Sequence, residues 1–571
     1  QVKPYYRKED TDSLEYLEGI GSLKSPGAAP NGWTICQNIC SNSDLREANE
    51  KIKSALKGGA QAILLELKDP RLPDTQMLGE ILKGVALQET ELHFRECLGA
   101  DAIYSSLCDL ASQRGTKYAS LSGSLGADPL GMMSRTGIPI GSLENLGKLV
   151  LKVKGSSPEM KVINVNGSLI QNSGANLVEE LAFTLNMASE YMSILTEKGI
   201  DPLTAQDAML LTFASGPKYF MEIAKLRAAR ILWAKIAEAY GVEPSHTGIR
   251  INTVSAEWNM TLYDPNVNML RGTTQAMSSI LGGADLINVL PFDYPNGKGT
   301  LFSNRIARNV QIILREEASL DQLADPASGS YYNESLTDSL AEKAWKMFCE
   351  VESMGGYGKA FATGWIQEKV EVSRKKRIDR AASGQGRILG TNAFPNFHEL
   401  NLNQVLVTKE TEEDDYAGAV YRPLKPFRLS SAFEKLRLDT ERSLKRPRVL
   451  LLKYGNPAWM TARATFAGNF FACAGYEIVD HSPFKNIEDG ITCASAGDYD
   501  IVVLCSSDDV YLETAPVAHK ALAGSAIVVI AGYPADSVEE LKKAGLEHFV
   551  HRRANVLQTL TGFNRTLLKN K

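Results

Sequence analysis

The sequence has few cysteines, and no cysteine spacing in it is typical of a metal site. Eight cysteines occur among 571 residues, and none of them forms a CxxC pair. Cys36 and Cys40 are the nearest pair, in a CxxxC spacing. Two such thiols are typical of a reduced cytoplasmic protein rather than of a disulfide framework or a zinc site. We therefore expect no metal ligands in this chain.

The sequence also lacks an excess of positive charge and any long apolar run. Lys and Arg number 62 and Asp and Glu number 67, so the net charge is −5, and the isoelectric point is about 6.0. This balance gives no electrostatic footprint for nucleic acid or for an anionic membrane. Apolar runs such as 526–531 have the length of a strand, and none approaches the ~18 residues of a transmembrane helix. We expect a soluble cytoplasmic protein that binds neither nucleic acid nor a membrane.

The pattern that is present, from about residue 58 to residue 350, is an alternation of short apolar runs with longer helical stretches. It is typical of βα units around parallel strands. Roughly eight units fit the span, so the sequence favours a (β/α)8 barrel, with an open doubly wound sheet as the alternative. The clearest helix is 219–240, with its apolar residues predicted on one stripe. The clearest strands are 60–67, 160–166, 209–214 and 248–254.

The stretch 373–446 loses this periodicity and is interpreted as an interdomain linker, because charged runs and prolines interrupt it. After it, five short apolar runs predict a doubly wound, flavodoxin-like domain. These runs are 449–453, 476–479, 501–505, 527–531 and 548–551. The predicted domains are an N-terminal arm (1–45), the barrel (46–372), the linker (373–446) and the flavodoxin-like domain (447–571).

No targeting pattern follows Gln1, so the start is interpreted as a truncated or disordered native terminus.

Four long segments carry a resemblance that is more specific than periodicity. In chain order they are FMEIAKLRAARILWAKIAEAYG from Phe220, NMTLYDPNVNMLRGTTQAMSSILGGAD from Asn259, RIARNVQIILREE from Arg305 and DPASGSYYNESLT from Asp325. Together they resemble the barrel of the methylmalonyl-CoA mutase family, over most of residues 30–400. The resemblance implies an adenosylcobalamin-dependent radical isomerase that interconverts (R)-methylmalonyl-CoA and succinyl-CoA.

The polar residues of these segments also have structural interpretations. Arg227 and Arg230, about a turn from Glu222, are predicted to form surface ion pairs on one helix. The Asp-Pro pair at 264–265 predicts a turn, and the Gly-Gly pair at 282–283 predicts a helix end. Five polar residues are placed toward the mouth of the predicted barrel: Asn259, Asp264, Arg271, Arg305 and Arg308.

The resemblance fails at the residues that do the chemistry. In active family members, a Gly-Tyr-His segment at the end of a barrel strand positions the substrate thioester and the radical intermediates. Here Ser168 and Leu169 follow Gly167, while Gln171 and the Gly-Ala pair from Gly174 are kept. A leucine side chain neither donates a hydrogen bond nor carries a proton. No catalytic residue is therefore assigned to this chain.

A second loss precedes the first barrel strand. Active family members carry a PFxRGPxxTMY segment, which lines the CoA path and places a Tyr beside cobalamin, shortly before a WTIRQ segment. This sequence keeps WTICQ at 33–37 but shortens the preceding segment to SPGAAPNG at 25–32. A CoA pyrophosphate would lose its local cationic partner there. Tyr5, Tyr6 and Arg7 instead resemble the N-terminal arm of the family's small chains.

The third loss is in the C-terminal domain. Cobalamin-binding relatives carry DxHxxG after its first strand. The His there ligates cobalt, the Asp orients the His, and the Gly admits the displaced nucleotide tail. This sequence keeps Lys453 and Gly455 but has Pro457, Trp459 and Ala462 at the three motif positions. Neither proline nor tryptophan ligates cobalt. We expect the Trp459 side chain to fill the vacated groove.

Other residues do not replace the lost ligand. The family's Ser-x-Leu and Gly-Gly segments, which flank the nucleotide tail, are weakened to Ser506-Ser507-Asp508 and Ala531-Gly532. None of the seven histidines lies in the first loop of the domain, and a lone histidine is usually a surface or structurally bonded residue. They are His93, His246, His398, His481, His519, His548 and His551. No cofactor-binding or metal residue is therefore assigned.

Within the family, these three losses are typical of the small, non-catalytic chain of a heterodimeric bacterial enzyme. The resemblance implies that a larger homologous subunit holds the adenosylcobalamin and the acyl-CoA, and that this chain stabilises that partner through a pseudo-symmetric interface. Two alternatives stay open. One is an autonomous cobalamin-dependent mutase acting on another acyl-CoA through an altered site. The other is a scaffold protein that uses the same fold without a mutase partner.

Overall fold

The computed structural model describes residues 7–11, 32–41, 44–67, 74–95, 99–139, 143–297, 299–401 and 418–568. The chain divides into two compact units. The first comprises the described parts of Gln1–Asn259, Asn268–Arg374 and Lys409–Phe427. The second comprises the described parts of Met260–Val267, Lys375–Thr408 and Arg428–Lys571. Most of the predicted N-terminal arm, including Tyr5, Tyr6 and 25–31, lies outside the described residues.

The first unit contains eight parallel strands that close into a barrel, with β8 pairing β1, so the predicted (β/α)8 barrel is confirmed. The open-sheet alternative is wrong. The strands are β1 Thr34–Ser41, β2 Ala62–Leu67, β3 Glu91–Phe94, β4 Gly123–Ala127, β5 Met160–Asn166, β6 Met209–Ser215, β7 Ile251–Ser255 and β8 Leu286–Asn288. The four strands predicted from sequence are β2, β5, β6 and β7.

Helices follow the barrel strands and extend beyond the last of them. They are α1 Leu45–Lys57, α2 Thr75–Ile81, α3 Ala100–Gln113, α4 Pro129–Thr136, α5 Glu144–Ser156, α6 Ser168–Asn172, α7 Leu177–Glu197, α8 Pro202–Asp207, α9 Tyr219–Ala239, α10 Val267–Leu281, α11 Leu301–Glu316, α12 Tyr331–Ser353, α13 Tyr357–Ala362 and α14 Trp365–Ala382. Local sequence sets their ends. The Asp128 carboxylate accepts the Gly131 N–H, Pro129 is the first helical residue, and Gly137 ends α4 in the left-handed conformation.

The prediction of a single apolar stripe on α9 is wrong. Lys225, Arg227 and Arg230 are buried on this helix, whereas Phe220, which was predicted on the apolar stripe, is 49% exposed. The reason is that α9 packs against both α7 and α12, so its middle, residues 222–230, is buried on all sides, and exposed positions occur only near its two ends. A helix buried on most sides does not show the polar face on which a stripe prediction depends.

The barrel lumen is a packed core. Its apolar layer is one buried cluster made of Cys36, Ala62, Leu64, Leu210 and Leu286. Leu210 lies on β6, which pairs with none of the strands that supply the other four residues, so this contact crosses the lumen. Filling of the lumen by side chains from alternate strands is the usual solution in barrels of this size.

The second unit contains a five-stranded parallel sheet in the order β10-β9-β11-β12-β13, as a flavodoxin-like domain requires. Its strands are β9 Arg448–Lys453, β10 Glu477–Val479, β11 Ile501–Cys505, β12 Ile527–Ala531 and β13 Phe549–Val550. The helices are α15 Ser431–Arg442, α16 Pro457–Ala472, α17 Ile487–Ala496, α18 Tyr511–Ala521, α19 Val538–Lys543 and α20 Val556–Leu567. All five predicted strands are present.

Alternation along β9 gives the sheet two buried faces. Val449 and Leu451 pack in one cluster with residues of α16 and α20, and Leu450 and Leu452 pack in another with residues of α17 and α18. Helix α15, inside the stretch interpreted as a linker, contributes Phe433 to the first cluster. Residues 402–417 of that stretch lie outside the described residues. The domain boundaries stay predictions.

Candidate functional site

The carboxyl end of β5 is where the family resemblance places catalytic groups. Ser168 begins the short helix α6, and its hydroxyl donates a hydrogen bond of 2.6 Å to Oδ1 of Asn166. Leu169 is 2% exposed. Neither residue carries a group that titrates or transfers a proton near neutral pH. This end of β5 therefore supplies packing and one local hydrogen bond.

The Gln171 side chain, which the family frame keeps, is fixed at both of its polar atoms. Nε2 donates to Oε2 of Glu180 at 2.6 Å, and Oε1 accepts the indole N–H of Trp258 at 3.1 Å. Gln171 is buried, and Trp258 is partly buried after β7. These bonds hold α6 against α7 and against the segment that follows β7.

Behind Gln171 lies a buried charge cluster made of Glu180, Glu222 and Lys225. Nζ of Lys225 lies 2.7 Å from a carboxylate oxygen of each glutamate and donates to the carbonyl oxygen of Ala214 at 2.6 Å. Burial raises the pKa of Glu180 to about 7 against the opposing effect of the Lys225 charge. Burial opposes the charge of Lys225, but the two carboxylates raise its pKa. The cluster joins α7 and α9 to the end of β6.

The prediction that Glu222, Arg227 and Arg230 form surface ion pairs is wrong, because all three side chains are buried. Arg227 donates to both carboxylate oxygens of Glu334, at 2.8 and 2.9 Å. Arg230 donates to Oδ2 of Asp285 at 2.9 Å. The partners lie far away along the chain, so helical spacing gives no signal for them.

These arginine contacts join the segments that carry the family resemblance. Arg227 of the first segment also lies 3.1 Å from Oδ2 of Asp325, and Asp325 and Glu334 both belong to the fourth segment. Asp285, the partner of Arg230, ends the second segment. Removing one partner of such a buried pair is costly, so these segments depend on one another for stability.

One of the five residues predicted at the barrel mouth, Arg308, lies elsewhere. Arg308 donates to the carbonyl oxygen of Gly58 at 2.8 Å and to Oε1 of Gln37 at 2.9 Å. Gln37 follows the lumen residue Cys36 on β1, so its side chain lies on the outer face of the barrel. The mouth prediction is therefore wrong for Arg308. Asp264, with φ of 51°, belongs to the second unit, where its N–H donates to the Glu399 carboxylate at 2.9 Å.

The other three residues make separate contacts in the first unit. Oδ1 of Asn259 accepts from Gln275 at 3.2 Å, and Arg271 donates to Oδ1 of Asn268 at 2.7 Å on its own helix. Arg305 is exposed on α11. The described contacts do not bring the five residues together, so the sequence reasoning did not find a site in this set. The Gly-Gly pair at 282–283 was predicted to mark a helix end, and it does follow the last residue of α10.

A different group of polar residues lies at the carboxyl end of the barrel, and we call it the mouth cluster: Glu66, Arg95, Glu257 and Tyr294. The Arg95 guanidinium lies 3.5 Å from a Glu66 oxygen and 3.9 Å from a Glu257 oxygen. The Tyr294 hydroxyl lies 3.4 Å from Glu257 and is buried, which raises its pKa. No sequence pattern predicted this cluster, because Glu66 lies near the end of β2 and the other three residues follow β3, β7 and β8.

At the amino end of the barrel, an ion pair crosses the lumen. Arg250, before β7, lies 2.7 Å from Oε2 of Glu91 on β3, and these two strands are not neighbours. Nε2 of His93 lies 3.2 Å from the same oxygen. Although burial opposes ionisation, the His93 hydrogen bond and the Arg250 charge lower the pKa of Glu91 to about 2. These side chains close the amino end of the lumen.

In the second unit, the three positions of the DxHxxG motif lie on a helix. Asn456 caps α16 by accepting the N–H groups of Ala458 and Trp459, and Pro457 is the first helical residue. Trp459 is 52% exposed, so the expectation that its side chain fills a groove is wrong. Its ring lies 5.4 Å from the Arg463 guanidinium carbon.

Histidines at the carboxyl edge of this sheet make local contacts. Nδ1 of His481, after β10, lies 3.0 Å from the carbonyl oxygen of Ser482. The His551 ring, after β13, packs on Tyr533 with ring centroids 4.8 Å apart. Across the part of the chain that the structure describes, no group of three or more His, Cys, Asp or Glu side chains is placed to hold a metal ion.

A closed barrel of eight parallel strands and a second, flavodoxin-like parallel sheet define an α/β protein of two units. The methylmalonyl-CoA mutase family model matches residues 71–422. The chain is 38% identical to the methylmalonyl-CoA mutase small subunit of Porphyromonas gingivalis, covering 99% of this chain and 92% of that protein. The chain belongs to the methylmalonyl-CoA mutase family, and its resemblance to the small subunit is confirmed.

Two further relatives extend the comparison. The methylmalonyl-CoA mutase small subunit of Streptomyces virginiae is 34% identical, covering 89% of this chain and 81% of that protein. The methylmalonyl-CoA mutase large subunit of Porphyromonas gingivalis is 30% identical, covering 69% of this chain and 59% of that protein. Within the described ranges, no helix is long and apolar enough to span a membrane.

Proposed function

We propose that this chain is the non-catalytic small subunit of a heterodimeric bacterial methylmalonyl-CoA mutase. The assembly interconverts (R)-methylmalonyl-CoA and succinyl-CoA with adenosylcobalamin, in the cytoplasm. The observation that carries the proposal is the carboxyl end of β5, where Ser168 and Leu169 stand at the family's Tyr and His positions. Both are buried in structural contacts, so no proton donor or thioester clamp remains there.

We place the cofactor in the partner, because the residues of this chain do not fit a His-ligated cobalamin. The first loop of the C-terminal sheet would have to supply an imidazole for cobalt and a carboxylate to orient it. Pro457 and Trp459 offer neither group, and both lie on the first turn of α16. Adenosylcobalamin supplies the radical when it is bound, and in this proposal only the larger subunit binds it.

The role of this chain in the proposal is to cover and stabilise its partner. The large-subunit relative is itself homologous to this chain, at 30% identity. Two homologous chains can pair about a pseudo-twofold axis through equivalent surfaces, as in an isologous dimer. Binding that favours the folded state raises the apparent stability of the partner by mass action.

Turnover measured with separated subunits tests the proposal. This chain, the larger subunit and their mixture are each supplied with adenosylcobalamin and (R)-methylmalonyl-CoA, and succinyl-CoA is quantified by liquid chromatography. We expect no product from this chain alone and turnover from the mixture. Product from this chain alone would contradict the proposal in favour of an autonomous mutase. A larger subunit whose activity and thermal stability are unaffected by this chain would favour an unrelated scaffold.

A further inference from the structure

The second unit contains a crevice of the kind that binds ligands in doubly wound sheets. Strand order reverses between β9 and β11, and ligands of such folds bind outside the carboxyl ends of the strands at this point. The two strands pair up to the contact of Cys505 with Lys453. The segments that follow them therefore leave the sheet side by side.

The base of this crevice is closed by buried hydrogen bonds. The Ser506 hydroxyl donates to the carbonyl oxygen of Tyr454 at 2.8 Å, and Ser506 is fully buried. A Cβ on Gly455 would lie 2.7 Å from that hydroxyl oxygen, so the two segments touch. The Tyr511 hydroxyl accepts the Ser506 N–H at 2.9 Å and lies 3.0 Å from the carbonyl oxygen of Ala531. The ends of β9, β11 and β12 are thus joined.

Above this base lies an ion pair that we call the edge ion pair, made of Arg463 on α16 and Asp508 after β11. Nη2 of Arg463 lies 2.9 Å from Oδ1 of Asp508. A Cβ on Gly532, at the end of β12, would lie 2.8 Å from Nη1 of Arg463 and 2.9 Å from Oδ1 of Asp508. The pair therefore lies directly against the backbone of Gly532.

The positions involved are those that the family resemblance places around the nucleotide tail. Ser506 corresponds to the Ser of the family's Ser-x-Leu segment, and Gly532 to the second Gly of the Gly-Gly segment. In this chain, the hydroxyl of Ser506 is committed to Tyr454, and the surface of Gly532 is covered by the edge ion pair. Trp459, at the cobalt-ligand position, faces the Arg463 guanidinium.

We infer that the Arg463 side chain, held by Asp508, is an internal occupant of this crevice and keeps a nucleotide-tailed corrinoid out of it. The missing cobalt ligand is then only one of two barriers, and the closed crevice is the other. This inference rests on the proposed function, because it explains why the chain leaves the cofactor to its partner. It adds that restoring the ligand residues alone does not restore binding.

The first test separates the two barriers in the full-length chain. Pro457→Asp, Trp459→His and Ala462→Gly together restore the ligand residues, and a second variant adds Arg463→Ala and Asp508→Ala. Each folded variant, verified by circular dichroism, is titrated with hydroxocobalamin, and the visible spectrum is recorded. We expect the triple variant to bind no better than wild type and the five-substitution variant to bind at least about tenfold more tightly. Equal affinity of the two variants would overturn the inference.

A second test needs no rebuilt ligand and leaves the helix start unchanged. The isolated nucleotide tail, α-ribazole 5′-phosphate, is titrated by NMR into wild type and into Arg463→Ala/Asp508→Ala. We expect binding only to the opened variant. Lys542→Ala/Glu539→Ala removes an exposed ion pair of the same unit and is the matched control, which should not bind. Tail binding to wild type, or no binding to the folded opened variant, would overturn the inference.

The two proposals fail in distinguishable ways. Wild-type chain that takes up hydroxocobalamin with the spectrum of a His-ligated form would contradict the proposed function itself. If the triple variant binds hydroxocobalamin as tightly as the five-substitution variant and wild type binds none, the proposed function stands. Only the inference that Arg463 closes the crevice is then overturned.

Discussion

At the scale of single residues, the positions at which the family resemblance places catalytic groups make structural contacts in this chain. Leu169 packs in the barrel unit, and Ser168 makes one local hydrogen bond, while the neighbouring Gln171 is fixed by Glu180 and Trp258. A catalytic side chain introduced at one of these positions would therefore be surrounded by residues that pack against it and do not bind substrate.

Leu169→His is expected to give no turnover by the isolated chain. The imidazole would return to one position, but the Tyr position, the CoA segment and the cobalt ligand would still be absent. The assay is succinyl-CoA formation from (R)-methylmalonyl-CoA with added adenosylcobalamin. Leu169→Met, which keeps the volume of the side chain, is the matched control. Product above the control would mean that the site is less altered than we propose.

Lys225→Met is expected to destabilise the barrel unit by about 3–5 kcal/mol, because it leaves Glu180 and Glu222 buried without their cation. Urea unfolding monitored by circular dichroism measures the loss. Lys235→Met, at an exposed position of the same helix, is the control and should change stability by less than about 0.5 kcal/mol. A similar effect of the two substitutions would show that the charge cluster is not important for stability.

Glu180 gives the barrel unit a predictable pH dependence. Its pKa is raised to about 7 by burial, above the ordinary value of 4.5, so the folded state binds a proton that the unfolded state releases. Its contribution to stability therefore falls as pH rises from 4.5 to 7, by at most about 1.4 kcal/mol per pH unit, and is constant above that range. Unfolding of wild type and Glu180→Gln across this range measures it. A difference between them that does not change with pH would contradict the assignment.

At the scale of elements, the start of α16 sets the conformation of the altered motif positions. Asn456 accepts two N–H groups of the first turn, and Pro457 has the φ that a first helical residue needs. The motif positions 457, 459 and 462 consequently share a helix. These positions therefore belong to an N-capped helix in this chain.

Asn456→Ala is expected to weaken the first turn of α16 by about 1 kcal/mol, which corresponds to about fivefold faster amide exchange there. Hydrogen exchange monitored by mass spectrometry measures this change locally. Asn456→Asp retains a capping carboxylate and should exchange like wild type. Equal protection of the Ala variant and wild type would mean that the cap does not hold this helix start.

The same elements indicate what sequence can predict. Strands β5 and β11 were predicted at their observed bounds, because their apolar runs are short and end at polar or glycine-containing turns. The burial of Arg227 and Arg230 on α9 was not predicted. Their partners lie 107 and 55 positions away along the chain, and polar residues at helical spacing suggest a surface. The mouth cluster was missed because four separate strands bring it together. The altered motif positions were identified because substitution by proline, tryptophan or leucine is visible in sequence alone.

At the scale of the whole molecule, each of the two units has its own complete core, and the framework segments of the barrel are joined by buried ion pairs such as Arg227 with Glu334. The chain matches a small-subunit relative over 99% of its length, and the three segments to which the family resemblance assigns chemistry are the ones we interpret as altered. Retention of the framework with loss of the chemical groups supports a partner that performs the catalysis.

Native mass spectrometry of the complex isolated with this chain from its source tests the central claim most directly. The account predicts one copy of this 62.4 kDa chain, one larger homologous chain and a single cobalamin. Dissociation of the complex in the gas phase should leave the cobalamin with the larger chain. A homodimer of this chain that carries its own cobalamin would contradict the account.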